Sequence, residues 1–420
     1  MSEPRARVVI TGLGAITPLG NTAEEFWQNL LAGKSGVGPV TLFDASSFKT
    51  RIAAEVKNFD ATNYVDAKDA RRMGRATLFA LAAARDALRD AGLGEHFDDS
   101  DRVGVVLGTG LGGFAEAIKE HHEFARQGTG RVSPFLAAII LPNMPAFFVA
   151  KHYRAHGFNS TVVTTCAAGT DAIGISTEAI RRGDADVMLA GGTDAIISDI
   201  IFVAFGAMRA LSTRNDDPTR ASRPFDKDRD GLVIGEGAAV VVLEKLEHAR
   251  ARGARIYAEV IGYAVNSDGY HFVAPDPQGT GAIRAMRAAL ANARITTEQV
   301  DYINAHATAT PLNDPIETLA IKTVFGERAY RIPISATKSM VGHAMGASGA
   351  MEAVVSTLTL RDQKIHPTAN LDTPDPACDL DYVPNVARAA FINIVLSNSF
   401  GFGGQNACLV LSKYNEPMNQ

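Results

Sequence analysis

Hydrophobic and polar positions alternate along this chain in two rhythms that replace one another repeatedly. Short β-branched runs of four to eight residues read as buried strands, and longer stretches with a 3.6-residue apolar repeat read as helices. The strand readings fall at residues 8–11, 103–107, 161–165, 186–190, 238–243, 256–265, 300–305, 332–335, 394–397 and 408–411. Helical spacing covers 72–91, 114–126, 280–293, 315–325 and 348–361, with a further helix opened by Thr22 and Glu25 in a capping-box arrangement. Such alternation predicts an α/β fold with parallel or mixed sheets. The apolar run at 135–150 is broken by Pro142 and Pro145 and is too short to cross a bilayer.

One junction stands out. Residues 161–165 form a β-branched run, Cys166 follows, and small residues then open a helix from Ala167. A thiol at a helix N-terminus meets unpaired backbone N–H groups and a dipole that both favour the thiolate. The dipole contributes ~0.3–1 kcal/mol, whereas moving a thiol pKa from about 8.5 to below 7 needs roughly 2 kcal/mol. A nucleophilic Cys166 therefore calls for a polar partner, with histidine the natural choice. A lone cysteine is otherwise an inert small hydrophobe.

The pattern has an internal echo. The unit strand–Thr165-Cys166–small-residue helix is repeated as strand–Ser335-Ala-Thr-Lys338, then Gly342-His343, then a helix rich in Ala and Gly. Two similar halves, 1–255 and 256–420, could thus face their reactive ends toward one site. Polar residues straight after buried strands mark the same places: His306, Thr308, Thr310, Asp314 and Glu317 after one strand, Lys338 and His343 after another, Asn398 to Asn406 after a third. Active sites of α/β folds collect at such strand ends. A thiol, two imidazoles and a lysine make a nucleophile with electrophilic stabilisers.

Composition narrows the field. The 420 residues are 46% hydrophobic and 21% charged with net charge −5, which suggests neither nucleic acid nor an anionic membrane as a partner. Three cysteines, 166, 378 and 408, lie far apart without a CxxC, so no disulfide framework or zinc site is indicated, and no metal motif occurs. No leader pattern opens the sequence, and a cytoplasmic protein is expected. A dinucleotide turn at Gly108-Thr-Gly-Leu-Gly-Gly113 lacks the acid expected about 20 residues on.

Taken together, these motifs resemble those of β-ketoacyl-[acyl-carrier-protein] synthases, most closely the type II elongating group. The resemblance runs nearly end to end. It rests on Cys166-Ala-Ala-Gly169, on His306-x-Thr308-x-Thr310-x-x-x-Asp314-x-x-Glu317, on Thr337-Lys-Ser-x-x-Gly-His343 and on Gly401-Phe-Gly-Gly404, with Arg223-Pro-Phe-Asp226 and Gly235-Glu-Gly237 as spacers. It implies a thiolase-like fold of two pseudo-repeated halves in five layers, αβαβα, usually a homodimer. It also implies an acyltransferase: Cys166 takes an acyl chain from acyl carrier protein, malonyl-carrier loses carbon dioxide, and the resulting carbanion attacks the acyl thioester to give 3-oxoacyl-carrier.

By the same resemblance His306 and His343 stabilise the enolate, Lys338 orients them, and the Cys166 and Phe402 N–H groups form an oxyanion hole. Thr308 and Thr310 hold the phosphopantetheine arm, Phe402 is a mobile gate, Phe400 binds substrate, and Leu111 and Phe205 line the acyl tunnel. Asp314 and Glu317 tie loops together. Lys68, Arg71, Arg72 and Arg209 would meet the acidic carrier, with Arg126 and Arg131 as weaker candidates. No cofactor is implied beyond the carrier's phosphopantetheine. Ala307, Asp194 and Gln405 stand where the family more often has Gly, Glu and Thr. A polyketide ketosynthase would use the same four reactive residues. A non-catalytic chain-length factor would lack the cysteine.

Overall fold

The computed structural model describes residues 5–94, 97, 99–129 and 132–415. Ten strands form its main sheet: β1 (Val8–Ile16), β2 (Val103–Gly108), β3 (Asn159–Val162), β4 (Val187–Asp194), β5 (Gly237–Lys245), β6 (Ala258–Ser267), β7 (Tyr302–Asn304), β8 (Ile334–Ser335), β9 (Ile394–Gly401) and β10 (Gln405–Lys413). Their spatial order is β8-β7-β9-β10-β6-β1-β5-β4-β2-β3. Every strand read from the sequence is present. The run at 161–165 is displaced: its strand is Asn159–Val162, and Thr165 already lies in a turn with φ +52°.

The order divides into two copies of one topology. Counted within each half, both run third-second-fourth-fifth-first, with parallel pairing among the first three and antiparallel pairing to the last two. The halves join through β1 and β6, which pair only at Val9–Glu259 and Ile10–Ala258. Strands β1 and β5 are buried almost throughout. Covered on both faces, they read as continuous apolar runs instead of alternating ones.

Helices complete five layers. Helix α1 (Arg75–Asp90) lies against β1 and β5 on the outside of the first half. Helices α3 (Thr280–Ala293) and α4 (Asn313–Phe325) pack together on the outside of the second, with α3 on β6 and β10. Between them α2 (Ala168–Arg182) and α5 (Ser348–Asp362) pack on each other and on strands from both halves. Residues 348–360 of α5 are all buried, as a helix without a polar face requires. A Cβ on Gly169 would lie 2.7 Å from the Ala350 nitrogen, so glycine permits this close approach.

The repeat also corrects the echo in the sequence. A 3₁₀ turn at Thr165–Ala167 leads into α2, and its counterpart Met345–Ala347 leads into α5. Thr165 and Met345 share positive φ values, +52° and +44°. Gly346, not His343, is therefore the structural counterpart of Cys166.

Asp194, at the end of β4, fastens the halves. It accepts from Thr109 Oγ1 at 2.8 Å, Gly110 N at 2.7 Å and, across the centre, Gly346 N at 2.6 Å. Burial pushes its carboxyl up to about 6, against the pull of those donors. Asp194→Ala should cost about 3 kcal/mol by orphaning buried donors, read as a lower denaturation midpoint.

Candidate active site

Four strand ends deliver the reactive groups to one cavity of about 260 Å³. Cys166 arrives beyond β3, His306 beyond β7, His343 beyond β8, and Phe402 beyond β9. Thr308, Thr310, Phe400, Phe205 and Arg209 line the same cavity. Cys166, His306, His343 and Lys338 are 5%, 2%, 2% and 2% exposed, so their charges interact with little screening by water. The imidazoles of His306 and His343 stand edge to face, with centroids 5.5 Å apart.

Lys338 sits behind them. Its Nζ is 2.5 Å from Glu352 Oε1 and 3.4 Å from His306 Nδ1. An ammonium only donates, so His306 Nδ1 accepts and its proton resides on Nε2. His343 Nδ1 is 3.0 Å from Ser348 Oγ, while its buried Nε2 has no hydrogen-bond partner among the described residues. With the serine hydroxyl donating, this second Nε2–H also awaits an acceptor in the cavity. Burial first, then the Lys338 charge, holds both imidazoles well below their ordinary pKa, with His343 adding to the effect on His306. Both are neutral donors at physiological pH. Burial lifts Glu352 to about 7 even though Lys338 opposes it.

The cysteine departs from the sequence reading. Burial pushes its thiol up to about 11, outweighing Lys338 and the backbone N–H groups of Phe402 and Cys166 itself, while Asp194 adds to the rise. The helix start is present, but the turn has carried the sulfur into a dry pocket where desolvation exceeds the dipole. The resting group is a thiol.

Loop anchors explain the acids and glycines. Glu317 accepts from the His306 and Ala307 nitrogens, both at 2.8 Å, and Asp314 accepts from Phe225 N at 2.9 Å. Ala307 takes φ +42°, the left-handed region that glycine adopts freely. Thr308 and Thr310 hydroxyls are 3.0 Å apart at the cavity wall. Phe402 stacks on Phe205 with centroids 5.8 Å apart, and its carbonyl accepts from Thr165 Oγ1 at 3.2 Å. A Cβ on Gly401 would lie 2.2 Å from that Thr165 oxygen, so glycine is required for the approach. Gln405 opens β10, opposite Gly401.

Other expected residues, Arg209 excepted, lie apart. Leu111 does not line this cavity. Its N–H reaches Asp194 at 3.3 Å, and its side chain is 39% exposed. Arg209 is exposed at the cavity wall. Lys68 and Arg71 are exposed on or beside a short helix, and Arg72 pairs with Asp69 and lies over Phe135. Arg126 is paired with Glu123, and Arg131 falls outside the described residues. Sequence reasoning missed Glu352, Ser348 and Met345. A lone acid inside the small and apolar run 348–360 was the available signal for Glu352.

Comparisons with known proteins agree with this geometry. The family models "Beta-ketoacyl synthase, N-terminal domain" and "Beta-ketoacyl synthase, C-terminal domain" match residues 5–249 and 257–372. A 3-oxoacyl-[acyl-carrier-protein] synthase 2 of Synechocystis sp. is 49% identical, covering 98% of this chain and 99% of its own. The ishigamide ketosynthase/chain length factor superposes with a TM-score of 0.92 at 39% identity, over 98% of this chain and 100% of that one. A type II PKS acyl-carrier protein in complex with its ketosynthase, bound to the hexaketide, gives 0.89 at 38% identity, again over 98% and 100%.

A thiol this protonated should be alkylated slowly at neutral pH. The rate of Cys166 modification should climb about tenfold per pH unit from 7 to 9 without a plateau. Iodoacetamide labelling followed by mass spectrometry reads it, and a plateau near neutrality would indicate a preformed thiolate.

Proposed function

The chain belongs to the β-ketoacyl synthase family, and we propose that it catalyses the elongating condensation of fatty acid synthesis. The observation that carries this reading is the single cavity shared by Cys166, His306 and His343, with Lys338 behind it. The higher identity to the synthase 2 relative than to the polyketide ketosynthase supports fatty acid over polyketide chains.

In the first half-reaction Cys166 Sγ attacks the carbonyl of an acyl-carrier thioester. The carbonyl oxygen becomes an oxyanion facing the N–H groups of Cys166 and Phe402. Collapse expels the carrier thiolate, which takes up the proton Cys166 has lost, so one thiol replaces another. Lys338 and the backbone donors favour sulfur ionisation during attack, against burial and the Asp194 charge.

In the second half-reaction malonyl-carrier occupies the same cavity. Its C–C bond to the carboxylate breaks, carbon dioxide departs, and the electron pair forms an enolate whose oxygen accepts from His306 and His343 Nε2–H. Neutral imidazoles suit this step because they donate without surrendering a proton. The enolate carbon then attacks the acyl-Cys166 carbonyl. Collapse releases 3-oxoacyl-carrier and the Cys166 thiolate, which is reprotonated from water. These steps draw on protein groups and the carrier's phosphopantetheine alone, so no cofactor is called for.

Thr308 and Thr310, at the cavity wall, would hold the phosphopantetheine arm. Phe402 would gate the acyl pocket, a reading supported by its flanking Gly401 and Gly403, the latter at φ +77°. Exposed Lys68, Arg71 and Arg209 suit attraction of an acidic carrier protein. A second copy of this chain fits the exposed apolar side chains Val163, straight after edge strand β3, and Phe147, on the helix 144–153 packed against that strand. No helix among the described residues is long and apolar enough to cross a membrane. Three free, buried cysteines suit the reducing cytoplasm.

Two substitutions test the assignment. Cys166→Ala should gain no acyl mass from acyl-carrier, and His343→Ala should still acylate but release carbon dioxide from malonyl-carrier about 10²–10³-fold more slowly. Acylation of the alanine variant at another residue would refute the nucleophile.

A further inference from the structure

The turn that presents Cys166 is strained. Thr165 is β-branched yet holds φ +52°, a conformation that persists only where the surroundings over-determine it. Thr165 Oγ1 donates to the Phe402 carbonyl at 3.2 Å, which ties one side of the turn to the second half. Thr164 is tied on the other side through α2. Its Oγ1 donates to Asp171 Oδ2 at 3.1 Å, and the Tyr263 hydroxyl donates to Asp171 Oδ1.

Tyr263 belongs to β6 in the second half, so the carboxylate bridges the two halves at the base of the nucleophile. The ring lies over Gly174, one turn further along α2, where a Cβ would be only 2.2 Å from it. Asp171 is 5% exposed, and its hydrogen-bond partners among the described residues are these two hydroxyls. It sits in the first turn of α2, where the helix dipole favours an acid, yet it is held by the turn and the neighbouring strand instead of capping the helix.

We propose that Asp171 is a positioning residue for the nucleophile, clamping the Thr164–Cys166 turn to Tyr263 of the second half and so fixing where the sulfur meets the acyl carbonyl. The proposal rests on the reading of Cys166 as the nucleophile. The clamp touches neither imidazole, so it bears on acyl transfer to sulfur and leaves enolate formation alone.

Thr164→Val removes the hydroxyl and keeps the shape, Thr164→Ser restores the hydroxyl, and Tyr263→Phe removes the far partner. Single-turnover acylation by acyl-carrier is followed by intact mass, and carbon dioxide release from malonyl-carrier is followed separately. Thr164→Val and Tyr263→Phe should each slow acylation about 10- to 100-fold, the scale of a small misplacement of a reacting atom. Thr164→Ser should acylate like the parent, and decarboxylation should be unchanged in all three. The double variant should be no slower than the worse single one, because both act through one carboxylate. Parent-like acylation by Thr164→Val, or equal loss of both half-reactions in Thr164→Val and Thr164→Ser, would overturn the clamp. A parent enzyme that gains no acyl group at Cys166 would overturn the nucleophile assignment and the clamp's purpose with it.

Discussion

One buried positive charge governs the chemistry of this site. Lys338, 2% exposed, acts electrostatically on Cys166, His306 and His343 together, favouring the ionised sulfur and opposing protonation of both imidazoles. A charge in that position is expensive to desolvate. Glu352 offsets the cost at 2.5 Å from within a helix that is otherwise small and apolar. Removing either partner alone would leave the other buried and unpaired, a loss of about 3–5 kcal/mol. The pair is thus a structural necessity created by an electrostatic function.

The repeated fold makes the convergence possible. Each half brings its strand ends and one central helix to the middle, and the two helices approach closely because small residues meet there. Cys166 comes from one half and His306 and His343 from the other, so the shared cavity exists only when both are docked. Backbone strain gathers at the same place. Thr165, Ala307, Ala309 and Met345 all take positive φ within or beside the cavity segments. Carboxylates hold these segments: Asp171 beside Thr165, Glu317 under His306 and Ala307, and Asp194 on Gly346. Strain stored this way is retained because the surrounding bonds fix it.

Much of this was legible in the sequence. Hydrophobic spacing located the ten strands of the main sheet and four of the five principal helices, small residues after Cys166 marked the fifth, and the polar residues at strand ends include those that line the cavity. What escaped was what only packing decides. The ionisation of Cys166 read as lowered because a helix start is visible in sequence, whereas the depth of the pocket that raises it is not. The echo between halves was visible, but its register was not, since Gly346 carries no side chain to mark it as the partner of Cys166. Leu111 matched by position in the chain; its N–H is bound to Asp194 and its side chain is not among those lining the cavity. Glu352 stands fourteen residues from Lys338, and only the geometry of α5 brings the two together.

Burial, reinforced by the Lys338 charge, keeps both imidazoles neutral, while Lys338 on His306 and Ser348 on His343 hold their protons on Nε2. Nitrogen-15 NMR of histidine-labelled protein reads both charge and tautomer. His306 and His343 should remain neutral Nε2–H species at pH 6.5 and below, whereas an ordinary histidine is half protonated at about 6.5. An imidazolium signal from either residue at that pH, or an Nδ1–H tautomer, would contradict it.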